Sequence, residues 1–201
     1  MNIRAILEHP LAYQYFQQLG GYFGARRKSL RAFLPIESGA RIADIGCGPG
    51  FIVELLPPDV SYSGFDTDAR YIAYASARFG GRGRFFHSLF DADAARDHGP
   101  FDIVMMNGVL HHLSDDEVHQ TLSVVRQALH SGGRIFTLDG CYVAGQSRLA
   151  RFALGRDRGR HVRTEAAYRA LLARHFTTLE VHVDHRLSWA PYSWIAMVGR
   201  V

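Results

Sequence analysis

Apolar and polar positions change their rhythm near residue 41. Upstream, residues 11–34 mix polar positions with the aromatics Tyr13, Tyr15, Phe16, Tyr22, Phe23 and Phe33. That pattern reads as two helical pieces hinged at Gly20-Gly21 and stopped by Pro35. Downstream, short apolar runs alternate with longer amphipathic stretches. Residues 41–45, 60–65, 84–87 and 101–106 read as strands, the last continuously apolar, as in a strand covered on both faces. Between them, 51–56 opens a helix that stops before Pro57-Pro58. Residues 69–79 carry Tyr71, Ile72, Ala75 and Phe79 on one helical face. Residues 115–130 form another helix, with Ser114 as N-cap, Glu117 completing a capping box and Gly132-Gly133 ending the segment. A fifth strand covers 134–138, a helix 164–175, and two strands 178–183 and 194–198 close the chain around a turn near Pro191. This alternation predicts an α/β three-layer sandwich with a mostly parallel sheet. The closing strand pair, with no helix between, predicts a hairpin at one edge.

The 201 residues suit one domain with decoration, and 47% hydrophobic with 21% charged residues is the balance of a globular fold. No apolar run approaches the ~20 residues needed to cross a bilayer. Met1 to Ala5, followed by Glu8, His9 and Pro10, lacks the layout of a signal peptide. Cys47 and Cys141 show neither metal nor redox spacing, so a cytoplasmic protein without a metal is expected. The formal charge of +4 comes largely from Arg26-Arg27-Lys28 and the run 156–163. That is weaker than the basic face of a nucleic-acid binder. It suits an acidic small molecule or an anionic membrane surface.

The chemistry concentrates in Ile42-Ala43-Asp44-Ile45-Gly46-Cys47-Gly48-Pro49-Gly50. A strand runs into a tight turn and then a helix. Glycines let the backbone bend sharply and let a ligand approach without interference from a Cβ. The free N–H groups and positive dipole end of the following helix suit a carboxylate. The spacing G-x-G-x-G differs from the G-x-G-x-x-G of nicotinamide enzymes.

This segment resembles motif I of the class I S-adenosylmethionine-dependent methyltransferases, in which the loop passes under the methionine moiety. The resemblance extends from about residue 41 to 138. It implies a Rossmann-like seven-stranded sheet of order 3-2-1-4-5-7-6 with the last strand antiparallel, and S-adenosylmethionine as cofactor. Asp44, Gly46, Cys47, Gly48 and Gly50 would line the loop. Asp66, twenty positions after Gly46 at the end of the second strand, would accept the ribose hydroxyls, with Thr67 beside it. Asp68 reads as a helix N-cap. The aspartate usual after the third strand is displaced; Leu89 fills its place, so adenine contacts would fall to Leu89 and Phe90, with Asp91 nearby.

The fourth strand ends in Asn107-Gly108-Val109-Leu110-His111-His112-Leu113, similar to the small-molecule branch of the family. Asn107 would face the methionine end of the cofactor. The Asn/Asp-Pro-Pro-aromatic signature of nucleic-acid amino-methyltransferases is absent. His111 or His112 could serve as a base where the acceptor carries a proton, and neighbouring residues should not both face the cleft. Two caps would shape the acceptor pocket: the N-terminal segment 1–35 with Tyr13 and Tyr22, and the insertion 140–163 with Tyr142 and Arg163. Three readings follow. The chain methylates a small molecule, keeps the cofactor site as a catalytically silent regulatory or partner protein, or is a nicotinamide oxidoreductase, which the glycine spacing opposes. The acceptor atom and the oligomeric state stay open.

Overall fold

The strands follow the apolar runs. They are β1 (Arg41–Ile45), β2 (Ser61–Asp66), β3 (Arg84–His87), β4 (Phe101–Asn107), β5 (Leu129–Tyr142), the short β6 (Arg163–Thr164), β7 (Thr178–Asp184) and β8 (Trp194–Arg200). The helices are α1 (Tyr22–Phe33), α2 (Ala69–Phe79), α3 (Ala92–His98), α4 (Asp115–Ala128), α5 (Arg148–Gly155) and α6 (Glu165–Ala173), with 3-10 turns at Phe51–Leu55 and Leu110–His112. This computed structural model describes residues 20–156 and 159–201. The first expected helical piece, with Tyr13, Tyr15 and Phe16, lies outside the described residues.

The sheet runs β3-β2-β1-β4-β5-β8-β7, with β6 pairing beside β5. Neighbouring strands from β3 to β5 are parallel, whereas β8 is antiparallel to both β5 and β7. Leaving β6 aside, this is the order and polarity expected; β6 makes eight strands where seven were expected.

Alternation along each strand sorts the core onto two faces. Val104 and Met106 of β4 pack with Val118 and Leu122 of α4 and Leu171 and Leu172 of α6. Ile103 and Met105 pack with Ala25 and Leu30 of α1 and with Ile52 and Val53 of the first 3-10 turn. This double cover explains why β4 is apolar throughout.

Several boundaries differ from expectation. Phe51–Leu55 makes a 3-10 turn in place of the expected helix, and α4 stops at Ala128 because β5 already starts at Leu129. The ladder absorbs the glycines at 132–133 through a register shift between Phe101 and Ile103. α3 and α5 arise in segments that carried no helical expectation.

Candidate functional site

On either side of β1 the chain leaves for opposite edges of the sheet, and the strand ends splay a crevice there. Register places Asp44 beside Gly64 and Met105, and Asn107 beside Leu138, so Asp44, Asp66, Asn107 and Asp139 all lie at the carboxyl edge.

The loop after β1 folds back on β2. Gly46 N and Cys47 N both donate to Phe65 O, at 2.8 and 3.1 Å. Gly46, Gly48 and Gly50 take φ of 69, 55 and 78°, a left-handed backbone that favours glycine. The three differ in what surrounds them. A Cβ on Gly46 would strike Val109, and one on Gly50 would strike Phe85, whereas one on Gly48 meets nothing within 4 Å. Gly48 therefore borders open space. Its N–H donates to Asp66 Oδ2 at 2.8 Å, while Asp68 N donates to Asp66 Oδ1 at 2.8 Å. Asp66 thus braces the loop, and each of its oxygens keeps accepting capacity for a ligand hydroxyl. Asp68 caps α2 through Arg70 N, as expected.

Asp44 is an electrostatic anomaly of the site. Burial pushes its carboxyl from 3.8 up to about 7, although the Tyr62 hydroxyl, the Arg26 charge and nearby Asn107 pull the other way. Tyr62 OH donates to its Oδ2 at 2.7 Å. Its Oδ1 and both amide atoms of Asn107 are buried, without a hydrogen-bond partner among the described residues. Buried polar atoms are normally paired, so these atoms could hold a polar ligand. Cys47 contributes no reactive thiolate, because burial raises its thiol.

The next strand end carries a dyad. His111 is buried, and its Nδ1 donates to Asp139 Oδ1 at 2.7 Å; the same oxygen accepts from His111 N at 3.2 Å. That bond assigns the proton to Nδ1 and leaves Nε2 as the basic nitrogen. His112 is exposed, its ring centroid 4.2 Å from that of His111. A Cβ on Gly108 would lie 3.6 Å from His111 Cε1 and 3.9 Å from Arg26 Nη2, so both side chains bound the same space. Gly159 packs so tightly on His111 that a Cβ would overlap the imidazole, and His161 N donates to His111 O at 2.9 Å.

The remaining candidates separate. Arg163 is not an acceptor clamp. Its five N–H donors go to Leu110 O, His161 O, Leu113 O and twice to Asp115 Oδ1, at 2.6–3.0 Å. It ties the insertion to the histidine turn. Phe90 turns its ring into the core against Phe65 and Phe101, which leaves only its backbone for a ligand. Leu89 is 70% exposed, Thr67 is exposed, and Asp91 caps α3 through Ala94 N. Tyr22 stacks edge-on with Tyr192 and Trp194, and Tyr142 lies beneath Arg151 near β6. Sequence reasoning missed Arg26 and Asp139 as site residues. The only sequence signal for Asp139 is an acid ending an apolar strand.

A family model described as a methyltransferase domain matches residues 43–135. Trans-aconitate 2-methyltransferase of Rhodopseudomonas palustris (strain BisB18) is 33% identical over 111 residues, covering 53% of this chain and 41% of that protein. The chain therefore spans less than half the length of that relative. Human N-acetylserotonin methyltransferase in complex with SAM superposes at TM-score 0.70 and 19% identity, over 99% of this chain and 56% of that one. A TehB-like SAM-dependent methyltransferase from Corynebacterium glutamicum gives TM-score 0.63 and 20% identity, over 96% of this chain and 98% of that one. At these identities the structural likeness establishes the shared fold.

Proposed function

We propose that this chain, which belongs to the class I S-adenosylmethionine-dependent methyltransferases, binds S-adenosylmethionine along its β1–β2–β4 edge and methylates a small anionic molecule. One observation carries the reading: Asp44 Oδ1 and the Asn107 amide, at the strand ends that the open Gly48 loop leaves and faces, are buried without a hydrogen-bond partner among the described residues. Those groups fit the amino-acid end of the cofactor, and Asp66 fits the ribose.

When bound, the cofactor supplies a methyl group already activated on a sulfonium. The chain must then align the acceptor and exclude water. His111 Nε2 accepts a proton from an acceptor hydroxyl while Asp139 holds the ring and balances the resulting imidazolium. Arg26 offers a cation beside His111 to hold an anionic acceptor. The relative named for trans-aconitate, a polycarboxylate, supports an anionic acceptor as well. A carboxylate oxygen has no proton to lose, so the dyad is needed only when a hydroxyl is methylated.

Calorimetry with S-adenosylhomocysteine tests the cofactor site. Micromolar binding is expected, weakened at least tenfold (about 1.4 kcal/mol) in Asp66→Ala and Gly48→Ala. Unchanged affinity in both would overturn the assignment. Radiolabelled methyl transfer to hydroxy acids and to simple carboxylic acids then tests the acceptor. His111→Gln should lower kcat about 10²–10⁴-fold for a hydroxyl and leave a carboxylate nearly unaffected.

A further inference from the structure

Helix α5 lies outside the machinery above and has an unusual outer face. Its inner face is conventional: Ala150 and Leu154 are buried, and Leu154 packs on Gly140. Its outer face carries Leu149, 61% exposed, and Phe152, 58% exposed. Both belong to the small set of large apolar side chains exposed among the described residues. Arg148, Arg151 and Arg156 surround them, all exposed, and the helix contains no acid. The Arg156 guanidinium sits 4.7 Å over the Phe152 ring, and Arg151 lies 5.7 Å over Tyr142. Arg169 of α6 lines the same hollow as Arg151 and Tyr142, with Glu165 its acidic neighbour there. Arg160 follows, also exposed.

We infer that α5 docks on an anionic bilayer surface, with Leu149 and Phe152 entering at headgroup level and the arginines holding lipid phosphates. An apolar stripe with an arginine rim and no acid is the pattern of a helix that lies in a membrane interface. Arginine stems can cover apolar surface while the guanidinium stays at the phosphates. The eight residues of α5 span only about 12 Å. Two exposed apolar side chains on so short a helix fall well below the roughly 800 Å² per partner of a stable protein interface. The charge on the helix itself is also of one sign. Leu154 seats the helix on Gly140, next to Asp139 of the dyad, so on the function proposed above a docked bilayer would suit an amphiphilic anionic acceptor.

Co-sedimentation of the full chain with vesicles tests this. Vesicles of phosphatidylcholine with phosphatidylglycerol should bind it at least tenfold more tightly than phosphatidylcholine alone, and added salt should weaken the binding. The double variants Leu149→Ser/Phe152→Ser and Arg148→Gln/Arg151→Gln should each lose most of that binding with an unchanged melting temperature. Equal binding to both vesicle types, no binding, or binding unaffected by both double variants would overturn the proposal. So would a concentration-dependent dimer that Leu149→Ser/Phe152→Ser abolishes, because a second copy would then occupy the face.

Discussion

At the scale of single residues, Asp44 shows how a proposed binding site can cost stability. A carboxyl whose pKa rises from 3.8 to about 7 on folding binds protons more tightly in the folded state. Its contribution to stability therefore falls as pH rises from about 4 to 7, by up to about 4 kcal/mol. Asp44→Asn keeps the shape and removes the charge. It should raise the melting temperature at pH 8 by several degrees, leave it unchanged near pH 4, and weaken S-adenosylhomocysteine binding. Calorimetric melts at the two pH values, with a ligand titration, check all three. Asp44, Gly48 and Asp66 were legible in the sequence because a strand, a bend and a second strand lie close together in the chain. Asp139 was not, because it meets His111 only through the register of β4 against β5. The ring of Phe90 was misread because its burial depends on Phe65 and Phe101, which lie on other strands.

Among elements, the histidine turn depends on a side chain from far along the chain. Arg163 satisfies the carbonyls of Leu110 and Leu113 and bonds Asp115 at the start of α4. Asp115 is 71% exposed, so the ion pair itself adds little, and the buried carbonyls carry the effect. Arg163→Ala should cost about 2–4 kcal/mol in urea unfolding, because each buried carbonyl left without a donor costs about 1–3 kcal/mol. Arg163→Lys should recover little of it, because one ammonium cannot reach all four acceptors. Helices with strong punctuation were readable in advance: the Ser114–Glu117 capping box forms at the start of α4 as expected. The short helices α3 and α5 were not, because seven or eight residues hold too few turns for a periodic signal.

For the molecule as a whole, two groups bend the pH–stability curve in opposite directions. His119 Nδ1 and His175 Nε2 meet at 2.9 Å between α4 and the segment after α6, with Arg174 Nη1 3.2 Å from His119 Nε2. Burial, then the charges of His119, Arg126 and Arg174, lower the pKa of His175 below 6.5. Below 6.5 the unfolded chain takes up a proton that the folded chain resists, so stability falls as pH drops. Asp44 contributes in the other direction over much of the same range. Urea unfolding across pH 4–8 should therefore show a steeper acid loss in Asp44→Asn than in the parent chain, and a shallower one in His175→Gln. The mostly parallel sheet and the closing hairpin were legible from the alternation of elements and the strand order from the family resemblance, whereas this balance depends on contacts between distant helices.

The close seating of Gly159 on the His111 ring has a kinetic consequence. On the function proposed above, an acceptor entering past residues 159–161 would have to lift Gly159 from the His111 ring and break the bond from His161 N to the His111 carbonyl. Admission and alignment of the proposed base would then be one event. A methyl group at this contact, Gly159→Ala, should slow turnover at least tenfold while cofactor affinity stays put, a split that stopped-flow and calorimetry can read separately.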